Sequence, residues 1–323
     1  MKAVVVKEYG DKEKLLIEQK EIPKPVSGQI LVKNLVFGIN FMDLFQRKGI
    51  WKPPLPFTPG AEAAGIVEAV PEDYKEEEFK VGTRVAYFAM AAQSYAEYSL
   101  IPITSLVAIP EKISFEDACA VSVQGLTAHY LCHSSYAVKK GDTVLIMAGS
   151  GGVGGLLVQM CHMIGATVIT TVSSEEKMKI AKEFGADHVI NYTVSDFKEE
   201  VRKIFPNGVD AVFDGVGKAV FDKALECLRM RGNYVVFGYA SGQVENFDIM
   251  RLGSLGSLNL TVCVLFHFIS PPEVYKKRMT DCLNWVQEGK IKPKITVVPF
   301  EKVADAHDLV ESRKSTGKVI VKF

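Results

Sequence analysis

The run Val144-Leu-Ile-Met-Ala-Gly-Ser-Gly-Gly-Val-Gly154 restricts this chain more than any other stretch. A short apolar strand breaks into glycines, and a helical pattern from Gly155 through Ala166 follows at once. Gly149, Gly151 and Gly154 meet the spacing G-x-G-x-x-G in the setting that gives it meaning, after a strand and at the start of a helix. Glycines without Cβ let the backbone turn tightly and let a pyrophosphate come close, while the helix start offers unpaired N–H groups and a positive dipole end. Gly154 leaves room for the helix to pack on its strand. Two rival motifs fail on single residues. A P-loop ends in Gly-Lys-Ser/Thr, whereas Gly155 and Leu156 follow Gly154; a nucleophile elbow needs a glycine where Ala148 stands. The expectation is a dinucleotide site, with a ligand-free glycine turn as the alternative.

From Gly141 onward strands and helices alternate, the mark of an α/β domain with a doubly wound parallel sheet. Val144 to Met147, Thr167 to Thr171, His188 to Asn191, Ala211 to Phe213, Tyr234 to Phe237 and Leu258 to Leu265 read as six strands, the Rossmann count. Gly155 to Ile164, Glu175 to Phe184 and Phe197 to Phe205 read as helices between them. Residues 1 to 122 instead give short strand-like runs punctuated by Pro and Gly, a compact antiparallel barrel-like unit. Helical composition begins at Ser114, and Gln124-Gly-Leu-Thr127 leads into a second helix ending near Ser135. Past Leu265 the alternation stops. A helix over Glu273 to Glu288, strand-like Lys294 to Pro299, a helix over Phe300 to Ser312 and a closing strand Lys318 to Phe323 are too little for a third core. The tail is therefore expected to fold back on the first unit: residues 1–122 and 266–323 form one domain, and 123–265 is an inserted dinucleotide domain.

Lys+Arg and Asp+Glu are each 38 of 323 residues, so bulk charge offers no attraction to nucleic acid or to an anionic membrane. No stretch reaches the roughly 18 apolar residues of a membrane span, and MKAVVVKEYG turns polar too soon for a secretory signal. A cytoplasmic location is the default expectation. Six scattered cysteines show neither C-x-x-C nor zinc-finger spacing and read as reduced packing residues. The six histidines have no ligand spacing either.

NAD-specific sites place Asp or Glu at the end of the second strand to hold the ribose 2′-hydroxyl. Here Thr170-Thr-Val-Ser-Ser174 leaves space for a 2′-phosphate, with Lys177 and Tyr192 placed to contact it, so NADPH is the expected cofactor. Glu175 or Glu176 would favour NAD if the strand ended later.

Gly38-Ile-Asn-Phe-Met-Asp43, Pro59-Gly-Ala-Glu-Ala-Ala-Gly-Ile-Val67, Gln124-Gly-Leu-Thr127, Ala148-Gly-Ser-Gly-Gly-Val-Gly154, Val189-Ile-Asn-Tyr192 and Glu311-Ser-Arg313 occur in order. Together they resemble the zinc-free quinone oxidoreductase (zeta-crystallin) branch of the medium-chain dehydrogenase/reductases, over essentially the whole chain. The resemblance implies a GroES-like domain made from both chain ends beside a Rossmann domain, with the nicotinamide in the cleft between them. It implies that Asn40, Phe41, Met42 and Thr127 line the nicotinamide end, and that Gly152 and Val153 meet the pyrophosphate. Ser173, Ser174, Lys177 and Tyr192 then hold the adenosine phosphate end. Phe237, Gly238, Tyr239, Leu265 and Arg313, together with Lys318, contact the rest of the cofactor. Zinc-dependent relatives carry Cys at the place of Asn40 and His at the place of Ala61, so no metal is expected.

A site without a Lewis acid suits an acceptor that is already electrophilic, a quinone or a conjugated enone. Trp51 replaces a tyrosine found in many relatives, so no catalytic acid is assigned. Trp51, Gln124 and Phe266 are candidates for the substrate pocket. The resemblance thus implies an NADPH-dependent quinone reductase, with an alkenal or enone double-bond reductase and a non-catalytic NADPH-binding protein as the alternatives. It also implies a homodimer formed by edge pairing through Leu258 to Leu265.

Overall fold

Apolar strands that need cover on both faces organise the unit formed by Gly125–Ser270 and Lys290–Lys292 in the computed structural model, which describes residues 1–323. Six strands lie in the spatial order His188–Asn191, Thr167–Val172, Thr143–Met147, Val209–Asp214, Leu228–Val236, Asn259–Val262, every neighbouring pair parallel. Numbered along the chain the order is 3-2-1-4-5-6, the Rossmann arrangement, whose ligands bind beyond the carboxyl ends where strand order reverses. Leu145, Ile169, Val212 and Tyr234 are buried in its core with Phe197, Val201, Phe221 and Leu225 from the crossover helices. The α/β class expected from the alternation is the one observed.

Three local expectations change. The helix after the glycine turn spans Gly152–Ile164, starting three residues earlier than expected. The low helix propensity of Gly152, Gly154 and Gly155 hid its first turn. The two helices expected between Ser114 and Ser135 are one helix, Phe115–Tyr130, running into a π-turn over Leu131–Ser135. Gly125, completely buried within it, costs about 1 kcal/mol of propensity, which packing outweighs. The sixth strand is only Asn259–Val262, and Leu265 opens a short helix, Leu265–Phe268.

The other unit comprises Met1–Gln124, Pro271–Gly289 and Pro293–Phe323. Its main sheet runs Ile295–Pro299, Lys318–Lys322, Gln29–Gly38, Glu62–Ala69, Arg84–Phe88, Leu106–Ala108, with Tyr98–Pro102 also paired to Gln29–Gly38. Pairing is antiparallel except between the two C-terminal strands. The closing strand sets Ile320 opposite Gly38, so the chain's end is built into the N-terminal sheet. Phe37 stacks on Tyr95 at 4.3 Å and meets Phe323 at 5.4 Å, and Phe323 stacks on Phe300 at 4.6 Å. The elements that escaped the sequence reading include the strand Leu16–Gln19, paired with Lys2–Val5, and the helix Phe41–Arg47. Seven residues are too few for a 3.6-residue period to register.

Phe37 is wholly buried at the centre of this aromatic cluster. Phe37→Ala is expected to cost about 3–5 kcal/mol, read as a lower denaturant midpoint in urea unfolding.

Candidate functional site

Because all six strands of the Rossmann unit are parallel, their carboxyl ends share one edge, and the expected cofactor residues in this unit gather there. Ala148 to Gly154 follows the first strand, Ser173 and Ser174 the second, Tyr192 the third and Phe237 to Tyr239 the fifth. Leu265 and Phe266 stand just beyond the sixth. Thr127 lies instead in the long helix Phe115–Tyr130, nearly buried.

The glycine turn fits a pyrophosphate. Ala148 takes a left-handed φ of 58°, and Gly151, the N-cap, has no side chain to cap the helix. The N–H groups of Gly152 and Val153 are first-turn donors, which lack partners within the helix. A Cβ on Gly154 would collide with the Ala148 carbonyl, and one on Gly149 with the Thr170 hydroxyl. The absent side chains are therefore a condition of the turn. At the second strand's end, Ser174 caps the helix Glu175–Glu183 by accepting from the Lys177 N–H at 3.2 Å. The strand stops at Val172, leaving Glu175 and Glu176 on the exposed first turn of that helix. Lys177 is a cation in a helix's first turn, where the dipole favours anions, and burial holds it below the ordinary lysine pKa. A phosphate bound at this corner would offset both costs. Tyr192 is exposed and Ser173 half-buried.

Phe237 donates its N–H to the Asp214 carbonyl at 2.9 Å, and a Cβ on Gly215 would press on the Phe237 ring. The Asp214 carboxylate accepts from the N–H groups of Val216 and Gly217 at 2.7 and 3.0 Å and from the Tyr234 hydroxyl at 2.9 Å, which fixes the loop floor.

In the other unit Asn40 is the N-cap of Phe41–Arg47, and its backbone N–H donates to Asp43 Oδ2 at 2.8 Å. Phe41 is part-exposed beside Phe45, whose ring lies 5.7 Å from that of Trp51, itself 39% exposed. These rings form an apolar shelf next to Asn40. Gln124 brings an acceptor, Oε1, that is buried without a donor from the protein, a group that a water or a bound molecule would satisfy. Arg313 is exposed and left-handed (φ 57°) just past the helix Val303–Glu311. Lys318 differs from its expected role. Its ammonium is buried and spends its donors on Glu62 Oε1, Asn40 Oδ1 and the Ile39 carbonyl, so any service to the cofactor passes through Asn40.

Sequence reasoning missed a buried relay behind this helix. Arg47 donates to His307 Nδ1 at 3.3 Å, which leaves the histidine proton on Nε2 to donate to Tyr95 Oη at 3.1 Å; Tyr95 in turn donates to Asp43 Oδ2 at 3.0 Å. Arg47 also pairs with Glu311 at 2.7 Å. Burial pushes Asp43 up to about 7, and burial with the neighbouring Arg47 charge pushes His307 down to about 3. The only sequence signal was polar residues inside otherwise apolar runs.

Comparison with known proteins places these sites in context. A model described as "Zinc-binding dehydrogenase" matches residues 152–285, and one described as "Alcohol dehydrogenase GroES-like domain" matches residues 26–111. The chain is 36% identical to a probable quinone oxidoreductase of Schizosaccharomyces pombe, covering 98% of this chain and 96% of the relative. It is 34% identical to a 2-haloacrylate reductase of Burkholderia, covering 99% and 98%. The solved Escherichia coli quinone oxidoreductase complexed with NADPH superposes with a TM-score of 0.96 at 32% identity over the full length of both chains. The zinc in the first description does not fit the residues here. Asn40 offers an amide, Ala61 a methyl group and Glu62 a carboxylate already paired to an ammonium, and no trio of His, Cys, Asp or Glu is placed to hold a metal.

The relay carries opposing pH dependences. Asp43, raised above its unfolded value near 4, binds protons in the folded state, so its contribution falls as pH rises from about 4 to about 7. His307, lowered from about 6.5, makes stability rise from about pH 3 to 6.5. Between pH 4.5 and 6.5 the two contributions oppose each other; relative to wild type, Asp43→Asn is expected to make stability rise with pH by up to about 1.4 kcal/mol per unit and His307→Gln to make it fall by up to as much, measured by urea unfolding at both values.

Proposed function

This chain belongs to the zinc-independent quinone oxidoreductase branch of the medium-chain dehydrogenase/reductase family, and on that premise we propose that it passes reducing equivalents from NADPH to a quinone. The observation that carries the reading is the gathering of the glycine turn and the Ser173–Lys177 corner at one edge of the parallel sheet. When bound, the nicotinamide supplies a hydride at its C4, chemistry that belongs to the cofactor.

The protein's share is binding, orientation and exclusion of water. Gly152 and Val153 direct first-turn N–H groups at the pyrophosphate, and Ser173, Ser174, Lys177 and Tyr192 hold the 2′-phosphate. Phe237, Gly238, Tyr239 and Leu265 follow the cofactor along the strand ends, with Thr127 and Arg313 also in contact. Asn40, Phe41 and Met42 meet the nicotinamide; the Phe41, Phe45 and Trp51 rings offer an apolar bed for a planar acceptor, and Gln124 and Phe266 are further candidates to touch it. Reduction of a conjugated double bond is the second reading, favoured by the likeness to 2-haloacrylate reductase.

The proposal includes a homodimer and a cytoplasmic location. The outer strand Asn259–Val262 leaves one sheet edge unpaired, with Val262 70% exposed and Val264 exposed just beyond it, and such an edge calls for cover. All six cysteines are free and buried, in keeping with a reducing compartment, and no helix is long and apolar enough to cross a membrane.

Three measurements check this. NADPH oxidation is expected with 1,2-naphthoquinone at a higher kcat/KM than with a medium-chain enal; the reverse ranking selects the second reading, and no turnover with either overturns the proposal. Lys177→Ala is expected to raise the NADPH KM about 10- to 100-fold while leaving the NADH KM nearly unchanged, the loss of one charge-assisted phosphate contact. Light scattering is expected to give a dimer mass that Val262→Asp halves.

A further inference from the structure

Asn40 is held from three directions, by Asp43 three residues on and by Glu62 and Lys318 from distant parts of the chain. Asp43 takes its backbone N–H at 2.8 Å, Glu62 Oε1 takes one Nδ2–H at 2.6 Å, and Lys318 Nζ donates to Oδ1 at 2.9 Å. Glu62 and Lys318 also pair directly, with side chains 0% and 1% exposed. Glu62 Oε2 accepts the Val123 N–H at 2.7 Å, which ties the helix bearing Gln124 into the same cluster. Lys318 completes its three donors on the Ile39 carbonyl at 3.1 Å. Gly38 makes the cluster possible, since a Cβ there would collide with Glu62 Oε1 and Lys318 Cε.

A buried ion pair is a costly means of joining two strands, because desolvation offsets its attraction and an apolar pair of similar volume serves stability as well. What charges provide and apolar groups do not is orientation. Turning the Asn40 amide over would aim its NH2 at the ammonium and its oxygen at the carboxylate, so both contacts would become repulsive. The amide is locked with its carbonyl facing a cation. Of its two Nδ2–H groups, one is committed to Glu62 and one is left over. Asn40, unlike the ion pair, keeps some surface, with 8% exposure.

We propose that Glu62 and Lys318 are positioning residues that lock Asn40 so that it presents its second amide N–H, and never its carbonyl, to a carbonyl oxygen of a bound molecule. The inference rests on the reading that Asn40 faces the nicotinamide and its acceptor. Two carbonyls answer this description: the nicotinamide carboxamide, and the quinone or enone oxygen. On the second, negative charge grows as hydride arrives, and a fixed donor aimed at growing charge accelerates the step.

The test compares wild type with Lys318→Met, Glu62→Gln, the double variant and Asn40→Ala. The readouts are thermal midpoint, NADPH affinity by fluorescence titration, kcat with 1,2-naphthoquinone, and the Asn40 side-chain amide signal in apo protein labelled with 15N-asparagine. Each single variant of the pair leaves one charge uncompensated and is expected to lower the midpoint; the double variant recovers it. In the double variant the Asn40 amide signal nevertheless moves toward that of a freely rotating asparagine, and function stays impaired about tenfold or more, as it does in Asn40→Ala. Loss in NADPH affinity alone assigns the carboxamide; loss in kcat at unchanged affinity assigns the acceptor oxygen. Either supports the lock. A double variant with an unmoved Asn40 signal and wild-type constants overturns it, as does Asn40→Ala with wild-type constants should the double variant not fold. Absence of both NADPH binding and turnover in wild type defeats the functional reading instead, and the amide signal still decides the lock.

Discussion

The antiparallel pairing of Lys318–Lys322 with Gln29–Gly38 is the constraint on which the GroES-like unit depends. It returns the end of the chain to the first sheet and carries Lys318 to Glu62, a contact spanning 256 positions. Once the pair is in place Asn40 has a single orientation. The helix Phe41–Arg47 is then fixed at its start by Asp43 and at its far end by Arg47, which reaches His307 and Glu311 in the same C-terminal segment. Stability and site geometry therefore share one origin: the contacts that close the sheet also aim the side chains at its edge.

The Rossmann unit solves a different problem by a different means. Parallel pairing brings every strand's carboxyl end to one edge, so loops distant in sequence meet there, and those after the fourth and fifth strands are tied by backbone hydrogen bonds such as Ser241 N–H to the Val216 carbonyl at 2.8 Å. Specific chemistry is confined to a few positions. Gly149 and Gly154 leave space that a Cβ would fill, and Ser174 begins a helix whose first-turn Lys177 runs against the dipole, a choice that the proposed phosphate contact would explain. The loss at Lys177 is local and small, about the size of one helix-dipole interaction.

What could be read in the sequence follows from the range over which each signal acts. The glycine turn, the strand and helix alternation, and the missing carboxylate after Val172 are local patterns, and each is present in the structure. The family resemblance extended those patterns to residues such as Asn40 and Thr127. Glu62, Tyr95 and His307 carried no local pattern, since their partners are dozens to hundreds of positions away and nothing in a single sequence couples them; Asp43 has one local partner, the Asn40 N–H three residues before it, but its bond to Tyr95 spans 52 positions. Lys318 was expected, from the resemblance, to touch the cofactor, and only three-dimensional closure shows its charge spent on Glu62 and Asn40. Gly125 and Gly152 misled in the opposite sense, because propensity marks them as breaks while both lie inside helices, Gly125 buried and Gly152 in a first turn.

The central claim is that this is a reductase built around a 2′-phosphorylated nicotinamide cofactor, and the most direct measurement is the pair of dissociation constants for NADPH and NADH in the unmodified protein. Binding of NADPH about tenfold or more tighter than NADH, with the difference shrinking as salt rises, is the predicted result for a cation-held phosphate. Equal affinities, or a preference for NADH, would contradict the account at the corner formed by Ser173, Ser174 and Lys177.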